Sequence, residues 1–87
     1  MGTLMKFTVV WRQPAEQRLN EIWNDANDRA EVTAASNRID SELRVRADIV
    51  GESRTAESRF LVVRPLAVYF DVSEGDRTAT IWSVFRV

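Results

Sequence analysis

Hydrophobic and polar positions repeat with two different periods along the chain. Between residues 3 and 12 they alternate, with Phe7, Val9 and Trp11 on one side of the pattern. A period of two is typical of a strand that buries one face better than the other. We therefore expect a first strand over residues 3–12.

Two helices follow in the pattern. The first is expected over residues 14–26, because Pro14 suits a first helical position and apolar side chains recur at helical spacing. Asp28 and Glu31 have the spacing of a capping box, which predicts the start of a second helix. The apolar stripes comprise Ala15, Leu19, Ile22, Trp23 and Ala26 in the first helix and Val32, Ala35, Ile39 and Leu43 in the second. The short break between the helices predicts an antiparallel hairpin whose two stripes share one face of a sheet.

The next stretch loses the helical period. Residues 44–58 carry Gly51 among polar side chains, which predicts the exit of the second helix and a loop. Residues 59–64 are apolar on both faces, as expected of a strand that is covered on both sides. Pro65 cannot donate a ladder hydrogen bond, so the strand should end there.

Two further strands complete the predicted fold. Residues 66–72 form one, and residues 77–86 run back after a turn at residues 73–76, where Gly75 is free to take a positive φ. The element order is therefore β-α-α-β-β-β. It predicts an α+β fold in a single domain over residues 1–87, with the helical hairpin packed on one face of a four-stranded antiparallel sheet.

Composition narrows the possible chemistry. The chain has 87 residues, of which 45% are hydrophobic and 29% charged, as in a soluble globular domain. Its longest apolar runs, residues 60–63 and 66–70, are too short to span a bilayer, so we expect no membrane partner and a cytoplasmic location. The absence of Cys and His excludes disulfides, zinc–thiolate sites and imidazole catalysis. Any reaction must use Arg, Lys, Asp, Glu, Tyr, Ser or backbone groups, and we expect no metal or other cofactor.

Charge is unevenly distributed, although the net charge is only −1. Residues 13–43 contain seven acidic and three basic side chains, whereas residues 44–70 contain three acidic and five basic ones. A protein that must find a polyphosphate usually carries excess positive charge. The sequence therefore argues against a generally basic nucleic-acid binder but is compatible with a local basic patch in the second segment.

In this order the residues resemble the RelE/ParE family of bacterial toxins, the toxin halves of type II toxin–antitoxin pairs. The resemblance rests on the opening strand Phe7-Thr8-Val9-Val10-Trp11, the two apolar helical stripes, the loop with Gly51 and the three closing strands. It implies helices packed on one face of a twisted antiparallel sheet, and a cognate antitoxin that wraps the toxin and blocks it. We expect the antitoxin to bind an exposed apolar groove or a sheet edge.

The resemblance implies one of two activities. RelE-like members cut mRNA in the decoding site of the ribosome, whereas ParE-like members bind DNA gyrase. Metal-independent RNA cleavage needs positively charged groups that stabilise the extra negative charge of the transition state, a proton acceptor for the attacking 2′-OH and a proton donor for the leaving oxygen. In the regions where RelE-like toxins carry basic catalytic residues, this chain has Arg59, Arg64 and Arg86. Tyr69 is the candidate proton donor. The candidate RNA-binding residues are Arg46, Arg54 and Trp82.

Three hypotheses stay open: a ribosome-dependent endoribonuclease, which we prefer, a gyrase-binding inhibitor, and a family member that has lost toxicity and serves as a binding module. Histidine, frequent near the end of active members, is missing, and no basic tail closes the sequence. The alternative for these candidate site residues is that they have ordinary structural roles. In that case the arginines would form surface ion pairs with Glu52, Glu57 and Asp71. Tyr69 and Trp82 would fill the core instead of stacking a base.

Overall fold

The structure is a computed structural model that describes residues 6–53 and 58–87. Its elements, in chain order, are β1 (Thr8–Trp11), α1 (Gln13–Asp25), α2 (Arg29–Arg46), β2 (Glu52–Ser53), β3 (Ser58–Val63), β4 (Leu66–Ser73) and β5 (Thr78–Arg86). The α+β fold and the predicted order of helices and strands are confirmed, with the short β2 as an addition. The predicted strand residues 3–5 and the candidate Arg54 lie outside the described residues. In the part of the chain that is described, no helix is long and apolar enough to cross a membrane.

The sheet has the strand order β1-β5-β4-β3-β2. β3, β4 and β5 form the predicted antiparallel meander, but β1 pairs in parallel with β5, from Thr8 opposite Thr78 to Trp11 opposite Ile81. The sheet is therefore mixed, and the expectation of an entirely antiparallel sheet is wrong at β1. Both helices lie between β1 and the meander in the chain, and such a long crossover permits a parallel neighbour.

The hydrophobic core lies between the helical hairpin and one side of the sheet, which we call the covered face. α2 buries all four residues of its predicted stripe, and α1 buries Ala15 and Ile22. Leu66, Val68 and Phe70 of β4 are fully buried on the covered face. The other buried core residues are Phe7, Ala47, Ala79, Ile81 and Val84. Both predicted stripes thus meet one shared apolar surface.

Trp23 is the exception in the stripe of α1. Its side chain is 41% exposed, so its predicted place in the core is wrong. The indole Nε1 donates a hydrogen bond to Thr33 Oγ1 at 3.0 Å, and the Arg29 guanidinium carbon lies 4.8 Å from the ring centroid. Adjacent helical residues differ by about 100° in direction, which moves Trp23 from the core, where Ile22 lies, to the outside of the hairpin.

α2 begins without the predicted capping box. Asp28 occupies the N-cap position, but its side chain makes no capping hydrogen bond. Its carboxylate instead accepts a hydrogen bond from Arg86 at the end of β5, with 2.6 Å between Asp28 Oδ2 and the guanidinium nitrogen. This partner adds opposite charge to the hydrogen bond, which strengthens it. A contact remote in sequence has therefore replaced the local one.

Glycine is required at a different turn from the one predicted. Within residues 6–53 and 58–87, positive φ angles occur at Gly51 (77°) and Arg77 (52°), so the expectation for Gly75 is wrong. The β4–β5 turn has its left-handed residue last, next to β5, as longer hairpin loops commonly do. A Cβ on Gly51 would clash with the carbonyl oxygen of Phe60, so both the backbone angle and the available space require glycine there.

β3 is covered on one side only. Leu61 and Val63 pack against the core, whereas Val62 is 43% exposed. The expectation that residues 59–64 are covered on both sides is wrong, because both helices pack on the same face of the sheet. α2 also extends to Arg46, so the predicted loop begins later than residue 44 and contains β2.

Candidate functional site

Four aromatic side chains form a continuous cluster on the side of the sheet away from the helices, which we call the open face. The aromatic cluster comprises Phe60 of β3, Tyr69 of β4, and Trp82 and Phe85 of β5. The ring centroids of Phe60 and Tyr69 lie 4.9 Å apart, and those of Phe60 and Phe85 lie 5.9 Å apart. Successive side chains of a strand point to opposite faces, so neighbours of the core residues along β3, β4 and β5 meet here.

Trp82 is held in the aromatic cluster by two contacts. Its ring stacks on Tyr69 with centroids 5.2 Å apart and planes at 21°, and its Nε1 donates a hydrogen bond to Asp71 Oδ1 at 3.1 Å. The ring remains 40% exposed. The β4–β5 register shifts between Tyr69 and Phe70 at this point. Neither Tyr69 nor Trp82 belongs to the core, so the competing expectation that they fill it is wrong.

Arg59 faces away from the aromatic cluster. It lies opposite Phe70 in the β3–β4 register, on the covered face. Its Nε donates a hydrogen bond to the carbonyl oxygen of Val50 at 2.8 Å, and its Nη2 donates one to the carbonyl oxygen of Gly51 at 3.4 Å. Through these two hydrogen bonds, Arg59 connects the turn after α2 to β3.

Arg64 and Arg86 lie at the other end of the meander. Arg64 is exposed in the tight turn between β3 and β4. Arg86 lies opposite Leu66 in the β4–β5 register, immediately after that turn. Its guanidinium forms the 2.6 Å ion pair with Asp28 that links the end of β5 to the start of α2.

The Asp28–Arg86 ion pair stands beside a cleft of about 420 Å³. The cleft is lined by Arg18, Ile22, Asp25, Ala26, Asn27, Asp28 and Arg86. The hydrogen bond from Arg86 holds the pKa of Asp28 below its ordinary value, and the same hydrogen bond raises the pKa of Arg86. Both groups are therefore charged across the physiological pH range.

Arg46 stands apart from the other candidates. It lies in the last turn of α2, where its Nε is 3.7 Å from a carboxylate oxygen of Glu42, and it is exposed. Such an exposed pair contributes little to stability, so Arg46 is available to a partner. The competing expectation paired the arginines with Glu52, Glu57 and Asp71. Glu57 and the side chain of Glu52 lie outside the described part of the chain, so those two pairings stay predictions. Asp71 accepts the Trp82 hydrogen bond, while Arg86 pairs with Asp28 and Arg46 with Glu42.

The candidate catalytic residues do not converge on one point. Arg59 and Arg64 lie at opposite ends of β3, about 17 Å apart at the usual rise of a strand. Tyr69 lies on the open face of the sheet, whereas Arg59 lies on the covered face. The structure brings together Arg64 and Arg86 at one end of the sheet, and Tyr69 and Trp82 within the aromatic cluster.

Sequence reasoning missed four residues of these two regions. Phe60, Phe85 and Asp71 belong to the open face, and Asp28 holds Arg86. Strand alternation would have revealed Phe60, because it is two positions from the exposed Val62 on the same side of β3. No sequence pattern would have paired Asp28 with Arg86, since they lie 58 positions apart.

No protein-family model matches the chain, and no curated protein matches it significantly. Solved structures do match it. It is similar to a chain of the toxin–antitoxin complex RelBE2 from Mycobacterium tuberculosis, with a TM-score of 0.72 and 12% identity over 100% of this chain and 98% of that one. A chain of the chromosomal ParDE toxin–antitoxin system from P. aeruginosa gives a TM-score of 0.70 and 18% identity, over 98% and 99%.

A third similarity is to a toxin without its antitoxin. The isolated E. coli RelE toxin matches with a TM-score of 0.56 and 10% identity, over 93% of this chain and 84% of that one. All three identities are low, so these similarities concern the fold. The chain has the fold of the RelE/ParE toxins.

Proposed function

We propose that this chain is the toxin component of a type II toxin–antitoxin pair and that a cognate antitoxin binds it. The observation that carries the proposal is the fold, which matches chains of two toxin–antitoxin complexes over at least 98% of this chain. The isolated RelE toxin has the same fold, which points to the toxin side of the pair. An uncovered apolar sheet face gives a partner a surface to bind.

Co-expression tests the pairing. Induction of this chain alone should arrest bacterial growth, and co-expression of the small protein encoded beside it should restore growth and yield a complex that co-purifies. High-yield expression without growth arrest and without a complex would contradict the proposal. That result would favour the binding module that has lost toxicity.

Between the two toxin activities, the geometry favours action by binding, as in a ParE-like inhibitor of DNA gyrase. RNA cleavage needs several groups around one phosphate. Arg59 instead binds two backbone carbonyls, Arg86 binds Asp28, and Tyr69 lies on the opposite face from Arg59. A protein that acts by occupying its target's surface needs no such convergence.

The RelE-like, ribosome-dependent endoribonuclease is the second candidate, because of Arg64 and Arg86. Both lie at the same end of the sheet, and no residue of the described ranges forms an ion pair with Arg64. If Arg86 exchanges Asp28 for a phosphate, two guanidinium groups become available to the RNA backbone, each with paired N–H donors. Ribosomes and gyrase are both cytoplasmic, which is the location that we propose for the chain.

Arginine variants separate the two activities. In an endoribonuclease, Arg64→Ala or Arg86→Ala should slow mRNA cleavage by about 10²–10³ for each lost stabilising contact, with partial rescue by Lys. Primer extension on RNA from induced cells measures cleavage, and a supercoiling assay with purified gyrase measures the alternative. Blocked supercoiling with intact mRNA supports the binding mode. Full cleavage by a folded variant without Arg54, Arg59, Arg64 and Arg86 would contradict the candidate site.

A further inference from the structure

We propose that Arg38 and Arg64 form a binding site for the phosphate group of a small organic phosphate monoester. The two arginines line one cleft between α2 and the turn that joins β3 to β4. The inference goes beyond the proposed function and does not depend on it, because the site is the same whether or not the chain is toxic.

Neither arginine of this cleft is engaged by the protein. Within residues 6–53 and 58–87, the guanidinium groups of Arg38 and Arg64 have no hydrogen-bond acceptor and no ion-pair partner, and both side chains are exposed. Glu42 lies one helical turn beyond Arg38 but pairs with Arg46 at 3.7 Å. Two unpaired cations beside one cleft repel each other, and an anion that binds between them removes this repulsion.

The cleft has room for a small molecule. Its volume is about 240 Å³, which corresponds to about eight molecules of liquid water. Ala34 lies one turn from both Glu31 and Arg38 on the same side of α2, and its single methyl group leaves space between the two longer side chains. The lining residues are Glu31, Ala34, Ala35, Arg38, Val63 and Arg64. Three of the six are apolar, so the ligand should carry an organic group next to its charge.

The charges of the cleft select the chemistry of the ligand. The planar fork of an arginine offers paired N–H donors to two oxygens of a phosphate. Glu31 is the one carboxylate of the lining and forms no ion pair, so two arginines and one glutamate give a net charge of +1. This charge is too small for a run of phosphates, on which nucleic-acid affinity depends. A single phosphate monoester, with a charge of about −1.5 to −2 at pH 7, suits two guanidinium groups.

Phenyl phosphate is the probe for this site. A titration of the isotope-labelled full chain in phosphate-free buffer, followed by NMR, gives the dissociation constant and locates the site. We expect saturable shifts of the backbone amides around Ala34, Arg38 and Arg64. Phenyl phosphate should bind more tightly than inorganic phosphate, because its ring contacts the apolar lining. It should also bind more tightly than phenyl sulfate, which has the same ring but a single negative charge.

Charge variants test the two arginines. Arg38→Ala and Arg64→Ala should each weaken the binding of phenyl phosphate at least about tenfold, because each removes charge-assisted hydrogen bonds. Arg44→Ala is the matched control on α2, since Arg44 is exposed and pairs with Asp40, and it should leave the affinity unchanged. Glu31→Gln removes the opposing carboxylate and should strengthen binding by about two- to fivefold. Circular dichroism must show that the variants remain folded.

A steric variant tests the cleft without changing any charge. Ala34→Leu fills the space between Glu31 and Arg38 and should weaken binding at least about tenfold. Ala30→Leu is the matched control, because Ala30 is exposed one turn earlier on α2 and does not line the cleft. If Ala34→Leu does not fold, the arginine variants still decide the outcome.

The other outcomes contradict the inference in different ways. Absence of saturable binding by the folded wild type overturns it, and so does binding that both arginine variants leave unchanged. Equal affinity for phenyl phosphate and phenyl sulfate overturns the preference for a phosphate. A short single-stranded oligothymidylate that binds more tightly than phenyl phosphate, with no effect of Ala34→Leu, assigns the arginines to a nucleic-acid backbone instead. Growth arrest is measured separately, so failure of the phosphate site and failure of the proposed function are distinguishable.

Discussion

The two faces of the sheet are built from alternate residues of the same strands, yet they differ in kind. On the covered face, Leu66, Val68 and Phe70 of β4 are fully buried beneath the helices. On the open face, Tyr69 is half-buried in the aromatic cluster and Asp71 is exposed. Because adjacent residues of a strand point to different faces, a substitution on the covered face can lower stability without changing the open face, and the reverse also holds. The following predictions test how complete that separation is.

Truncation on the covered face should have the largest effect on stability. Ile39→Ala removes a fully buried side chain and should lower the free energy of unfolding by about 2–5 kcal/mol. Val62→Ala on the open face should cost less than about 1 kcal/mol, as surface substitutions usually do. Urea denaturation of the two variants measures the contrast. Equal losses would break the distinction between the two faces.

Substitution in the turn between α2 and β2 should have the next largest effect on stability. Gly51→Ala adds a Cβ that meets the Phe60 carbonyl oxygen at a positive φ, and it should cost about 1–3 kcal/mol. Gly75→Ala is the matched control, since nothing lies within 4 Å of its added Cβ and its φ is ordinary. Thermal unfolding measures the melting temperature of each variant. An equal decrease for both substitutions would contradict the geometric argument.

Trp23 should resemble the open face in its tolerance, although it belongs to a helix. Trp23→Ala loses the hydrogen bond to Thr33 and the contact with Arg29, and it should cost about 1 kcal/mol. Trp23→Phe retains a ring beside Arg29 and should cost less. If denaturant unfolding shows that Trp23→Ala lowers the free energy of unfolding by about 3 kcal/mol or more, Trp23 contributes to stability as a core residue would.

The smallest effect should come from the ion pair at the rim of the covered face. Arg86 lowers the pKa of Asp28 in the folded state, so folding is favoured by this group above its unfolded-state pKa. That contribution is lost as the pH falls through the lower, folded-state value. The advantage of the wild type over Asp28→Asn should therefore shrink on acidification and with added salt. A melting-temperature difference that is constant with pH would contradict this.

The sequence was a good guide wherever a pattern records burial. The stripe Val32, Ala35, Ile39 and Leu43 was predicted in full, because a period of 3.6 residues maps directly onto one side of a helix. The same reasoning is wrong for Trp23, because a large apolar side chain at the edge of a helical stripe can lie either in the core or at the surface. It also does not predict the parallel pairing of β1, since alternation within a strand does not specify which strand is its neighbour.

The candidate site was predicted less well, for a physical reason. Arg59 and Tyr69 were proposed to act together, but whether two strand residues share a face depends on register, which alternation within one strand leaves open. Residues 59 and 69 fall on opposite faces because Phe60, and not Arg59, is opposite Tyr69. The Asp28–Arg86 ion pair depends on the closing of the whole fold. The roles of Arg64, Arg86 and Trp82 stay predictions until the variants are measured.

The parallel pairing of β1 with β5 makes the order of assembly uneven. The helical hairpin and the β4–β5 hairpin join neighbouring parts of the chain, whereas Thr8 must find Thr78, seventy positions further on. Closing so long a loop costs entropy that short-range pairings avoid. β1 is therefore expected to join the sheet after the meander has formed. Since β5 lies between β1 and β4, loss of β5 would leave both of them without their shared neighbour.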